Sequence, residues 1–167
     1  MEAAGGFERT LDLRGDGGDL RSFIEQVVGA LPFTAFMDIQ VGSVEPGRAE
    51  ICLPGRNEYT NHLGTVHAIA ELVPAETAGG VAISSGVGDL LQQGYVPIAK
   101  GLRVNWTAPA RGPLTATAEL PAENAETMRT AAANGERVAC TLAIPVSDGE
   151  GVVVAEVEID YVLKQLG

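Results

Sequence analysis

The stretch "NHLGTVHAIAELVPAETAGG" (61–80) gathers two histidines, an asparagine and two glutamates. Imidazole, carboxamide and carboxylate are groups that move protons or orient water near neutrality. The spacing predicts a helix from about Thr65 to Ile83. With Val66 at zero and about 100° per residue, Ile69, Ala70, Val73, Thr77 and Gly80 share a stripe that Leu72 and Ile83 widen. Glu76 falls inside this apolar arc, and Glu71 falls on the opposite side, where a solvated glutamate belongs. A carboxylate on a core-facing stripe is costly unless it is paired, protonated or facing a cavity. Desolvation raises its pKa toward the range of a general base near neutrality. The plainer reading is a polar residue near a helix end that curls out to water or pairs with an arginine. Pattern alone leaves both open.

The helix start adds a second ingredient. The N–H groups just after Thr65 lack intrahelical acceptors and, with the helix dipole, can face a developing negative charge. A ligand carbonyl near the Ala68 N–H would be polarised there. His67 can orient a ligand or a loop, and Asn61 can hold water. The same two residues also serve commonly as a helix-start hydrogen-bonding group and a turn residue. Pro74 falls in mid-helix, where it removes the bond to the Ala70 carbonyl. Either it kinks the helix just before Glu76, or the helix is two pieces.

These residues need a scaffold. Asp19 is placed to cap a helix running to about Ala30, with Leu20, Phe23, Ile24, Val27, Val28 and Leu31 on its apolar face and Pro32 at its end. Residues 37–54 read as two strands around a Glu-Pro-Gly turn, and residues 55–64 as a loop. Period-two alternation then marks strands at 97–110, 112–121, 136–146 and 151–164. The order is short helix, two strands, one long apolar helix, four strands. That order predicts an α+β domain in which an antiparallel sheet wraps around a central helix, with meander pairing.

Length and charge narrow the functions. The chain has 167 residues, 46% of them apolar, which suits one domain with its own core. Residues 1–18, rich in glycine and acid, read as a flexible leader, and 19–167 as the domain. Arg14-Gly15-Asp16 spells an adhesion tripeptide that arises by chance. A net charge of −11 argues against nucleic acid and anionic membrane partners. Cys52 and Cys140 are too few and too far apart for a metal knuckle or disulfide framework. No apolar run approaches the roughly 20 residues of a membrane helix. The N-terminus has no basic start and no apolar signal core, so a soluble, cytoplasmic protein is expected.

Asn61-x-x-Gly64-x-x-His67, followed nine residues later by Glu76, resembles the hotdog-fold thioesterases of the phenylacetyl-CoA thioesterase type. The similarity is closer to their uncharacterised relatives with Glu in place of Asp. "LRVNWTAPAR" (102–111) resembles the family's strand ending in an aromatic and a Pro-Ala pair, and the likeness spans roughly residues 35–163. The resemblance implies a homodimer or dimer of dimers with active sites between subunits. It implies an acyl thioester substrate, with coenzyme A entering as part of the substrate, and no separate cofactor or metal. Asn61 would position water or the thioester, and Ala68 would supply an oxyanion-hole N–H. His67 would stabilise the loop or assist polarisation, and Glu76 of the other subunit would be base or nucleophile.

Three departures stand out. The chain reads His67-Ala68-Ile69 where the family often reads His-Gly-Gly. Glu76 replaces the typical aspartate. Ala99, beside Lys100, stands where several members carry a Ser or Thr that holds water. Hydrolysis of an acyl-CoA is therefore weighed against acyl binding without turnover. Hydratase chemistry is a third reading, and it wants a histidine after the acid that this helix lacks. Arg103, Arg111 and Lys100 are candidate grips for coenzyme A phosphates, each equally readable as a solvated strand-end charge.

Overall fold

The computed structural model describes residues 20–165. The leader, the adhesion-like tripeptide and the Asp19 cap lie outside the described residues. The chain runs α1 (Leu20–Ala30), α2 (Pro32–Phe36), β1 (Gln40–Glu45), β2 (Arg48–Leu53), a 3-10 turn (Asn57–Tyr59), α3 (Leu72–Gly86), α4 (Gly88–Gln92), β3 (Tyr95–Trp106), β4 (Leu114–Glu119), α5 (Ala122–Ala133), β5 (Val138–Asp148) and β6 (Val153–Gln165).

All six expected strands form; β2, β4, β5 and much of β6 alternate buried and more exposed residues with the period of a half-buried sheet, whereas the edge strands β1 and β3 do so only in part. The six make one antiparallel sheet in the order β1-β2-β4-β5-β6-β3. This corrects the meander expectation. β3 leaves the end of α3 on the far side of the sheet and pairs with β6, from Tyr95↔Gln165 to Trp106↔Ala155. The chain must then cross three strand spacings, about 14 Å, to reach β4. Residues 107–113 can span about 23 Å when extended, so the short connection suffices.

α3 packs mainly on β2 and β4 and closes the core. Its residues Ala75, Ala78, Ala82 and Ile83 are wholly buried. Small side chains there let the helix lie close to the sheet. Gly79 shows why: a Cβ at that position would stand 2.3 Å from the Tyr161 hydroxyl. That hydroxyl instead donates to the Glu76 backbone carbonyl at 2.9 Å, pinning helix to strand.

The helix is shorter at its start than expected. Residues 68–71 form turns, and α3 begins at Leu72. Pro74 therefore sits in the first helical turn, where its missing N–H has no intrahelical acceptor anyway. It kinks nothing, and the helix is one piece. α5 was not expected from the sequence. Its segment is rich in Ala, Glu and Thr and buries only Ala125 and Met128, so it carries little periodic signal.

Candidate functional site

The loop before α3 is built by its own side chains. Asn61 Oδ1 accepts the N–H groups of Leu63 and Thr65 at 2.8 and 3.3 Å. Asn61 Nδ2 donates to Thr65 Oγ1 at 2.8 Å and to the Val66 carbonyl at 3.3 Å. The carboxamide is thereby fully occupied within the loop. Gly64 donates to the Asn61 carbonyl at 3.0 Å and takes φ +72°, a left-handed conformation that glycine adopts without strain. The Val66 N–H donates to the Ala110 carbonyl at 2.9 Å, which ties the loop to the segment before β4.

His67 holds the next turn. Its backbone N–H donates to the Tyr59 carbonyl at 2.7 Å, and its carbonyl accepts from Ala70 at 2.8 Å. Nδ1 accepts the Ile69 N–H at 3.2 Å, which fixes the ring over the turn. Between these anchored neighbours, the Ala68 N–H meets no acceptor among the described residues. The Asn-Gly-His spacing thus builds a hydrogen-bonded loop in which, past Asn61, the His62 and Ala68 amides are the ones left without an acceptor among the described residues.

The two glutamates exchange the places the helical wheel gave them. Glu71 is 3% exposed, in the turn just before α3. Its Oε2 has no hydrogen-bond partner, and burial pushes its carboxyl up to about 7. Glu76 is exposed. The wheel took Val66–Glu71 as helix, so its phase was wrong by the turn that actually stands there. Ile69, placed on the buried stripe, is 59% exposed for the same reason.

Glu76 nevertheless stands in an unusual setting. It borders an apolar cavity of about 220 Å³ between α1 and α3, with Phe23, Val27, Val81, Leu91 and Gly80 in its wall. The surrounding protein desolvates the carboxylate and raises its pKa. None of Asn61, Gly64, His67 or Ala68 borders that cavity. Within one chain, the acid and the presenting loop therefore serve different clefts. Sequence reasoning missed Gly80 as a wall residue. A Cβ there would meet nothing within 4 Å, so the position opens straight onto the cavity.

The cations divide sharply. Arg103 pairs with Glu158 and, at 3.0 Å, with Asp160 on the outer face of the sheet. Lys100 occupies the irregular register between Ala99 and Gly101 on β3. Arg111 has no carboxylate partner among the described residues and lines a cleft beside Gly64 and Val66. Among the described residues no helix is long and apolar enough to cross a membrane.

Known structures share this architecture. A Pseudomonas aeruginosa protein of unknown function described as a probable thioesterase is 25% identical, with a TM-score of 0.77, covering 87% of this chain and 95% of its own. A thioesterase family protein from Silicibacter pomeroyi is 16% identical, with a TM-score of 0.67, covering 89% of this chain and 100% of its own. A putative thioesterase from Shewanella oneidensis is 16% identical, with a TM-score of 0.68, covering 86% and 96%. No curated protein matches the chain significantly. The sheet around its central helix is that of the hotdog thioesterase-like superfamily. The family model described as "Domain of unknown function (DUF4442)" matches residues 21–163, and the chain belongs to that family.

Proposed function

We propose that the protein hydrolyses an acyl thioester, an acyl-CoA, in a site shared by two copies of the chain. The observation that carries this reading is Glu76, a desolvated acid in the wall of an otherwise apolar cavity. Solved structures of the same fold that bear thioesterase descriptions support the reaction class. A 150 Å³ apolar cavity accepts benzene, so about 220 Å³ suits an aryl or medium-length acyl group.

Two sheet edges support the second copy. β1 is short, has an irregular register between Val41 and Val44, and is covered by α1. Arg21 of α1 donates to the Gly42 and Val41 carbonyls at 2.7 and 3.1 Å. β3 is twelve residues long, pairs only with β6 among the described residues, and exposes Leu102 and Trp106. A long bare edge invites pairing with another strand. The reading requires that edge-to-edge pairing of β3 with its copy bring Glu76 of one chain to the loop of the other.

In that site the Glu76 carboxylate removes a proton from water as its oxygen bonds to the thioester carbonyl carbon. The developing oxyanion accepts from the second copy's Ala68 N–H. Collapse breaks the carbon–sulfur bond, and Glu76 returns the proton to the leaving thiolate. Asn61, Gly64 and His67 act as positioning residues for that amide.

A second reading, acyl binding without turnover, is favoured by one observation. The Asn61 carboxamide is occupied within its loop and offers nothing to a substrate or water. Thiol release from a panel of acyl-CoAs, compared between wild type and Glu76→Gln, separates the two. Hydrolysis predicts a loss of about 100-fold or more. Equal rates remove Glu76 from the mechanism, and saturable binding without thiol release supports the second reading.

A further inference from the structure

The chain carries 22 acidic and 11 basic residues, yet one cleft has two arginines and no acid in its lining. It encloses about 290 Å³ and is bordered by Arg56, Asn57, Thr60, Gly64, Arg111 and Gly112. Arg111 is exposed and makes no ion pair among the described residues. Arg56 makes one ion pair, to Asp38 at 2.6 Å, with both side chains nearly half exposed. Asn57 and Thr60 add polar side chains, and Gly55 lets the two loops approach closely: its Cβ would stand 2.9 Å from Pro113 N. The outer-face cations differ, because Arg103 is already held by two carboxylates.

We infer that this cleft binds phosphoryl groups, and specifically those of the nucleotide end of coenzyme A. Two guanidiniums around a small polar cleft suit phosphate oxygens, which arginine binds bidentately. Position supplies the link to a thioester. Val66 lines the cleft, and Ala68 lies two residues on, at most about 7 Å away along the chain. A ligand whose phosphates sit between Arg56 and Arg111 thus lies beside the loop that presents the Ala68 amide. The coenzyme A identity rests on the thioesterase reading; the anion site does not.

The test titrates adenosine 3′,5′-bisphosphate into wild type, Arg111→Ala and Asp38→Asn at low ionic strength, by calorimetry. Arg111→Ala should weaken binding about tenfold or more, and added salt should weaken wild-type binding. Asp38→Asn releases Arg56 from its competitor and should tighten binding several-fold, a gain that damaged folding cannot imitate. Asp38 holds φ 50°, which asparagine accepts readily. In turnover, the ratio of kcat/KM for an acyl-CoA over the phosphate-free N-acetylcysteamine thioester should fall about tenfold in Arg111→Ala. Bisphosphate binding that is absent, or indifferent to both substitutions, overturns the site even if Glu76-dependent hydrolysis is found. Arg111-dependent binding with no hydrolysis of any thioester sustains the anion site and sinks the hydrolase reading instead.

Discussion

Glu71 and Glu76 lie five residues apart and meet opposite surroundings. Glu71 is buried, with one carboxylate oxygen unpartnered among the described residues, while Glu76 borders a cavity that water and ligands can reach. Burial raises the pKa of both, so a raised value alone does not distinguish a base from a structural burden. Access does. A group that must exchange protons with substrate needs an open side, and only Glu76 has one.

Substitutions sharpen that contrast. The largest expected effect is on turnover. Glu76→Gln should lower thiol release about 100-fold or more, roughly 3 kcal/mol, and Glu71→Gln should leave it within about twofold. Equal losses would erase the distinction.

Stability should reverse the order. A Glu71 carboxyl raised from 4.5 to about 7 keeps its proton in the folded state where the unfolded chain releases it. The unfolded state then binds fewer protons, so stability is intact below about pH 4.5 and is lost as pH rises toward 7. The loss is on the order of 2–3 kcal/mol. Glu71→Gln should recover most of it at pH 8 and flatten the profile between pH 5 and 8. Urea unfolding across that range measures both, and a wild-type stability that rises through this window contradicts the assignment.

Gly80→Val probes the open side of Glu76. Its Cβ meets nothing within 4 Å and its methyls project into the cavity, so the fold should hold. Longer acyl substrates should lose about tenfold in kcat/KM relative to acetyl, a ratio worth about 1.4 kcal/mol. An unchanged chain-length profile would remove this cavity from acyl binding. Smallest is Tyr161→Phe, which deletes the hydroxyl bonded to the Glu76 carbonyl. It should cost about 1 kcal/mol by thermal unfolding.

The strands were legible because a half-buried sheet imposes a period of two, most clearly on β2, β4 and β5. The helix was legible as an element but not in phase. α3 is apolar almost all round, so hydrophobicity could not say which side met the sheet. The usable signal was size: Ala75, Ala78, Gly79 and Ala82 mark the face of closest approach. Asn61, Gly64 and His67 were visible as a group, whereas their work as loop builders lies in hydrogen bonds that spacing does not reveal. Arg111 was named among three candidate cations. Its partner across the cleft, Arg56, comes from a loop more than fifty residues away and gave no local sign.

By itself, then, the sequence determined the six strands, the apolar central helix and the α+β class, since periodicity and turn chemistry are local. Tertiary structure decided the strand order, the helix phase and the fate of each acid. Those depend on where the chain returns after a crossing and on which side chains are small enough to let backbones meet. Burial, and with it the proton affinity of a carboxylate, is a property of such meetings.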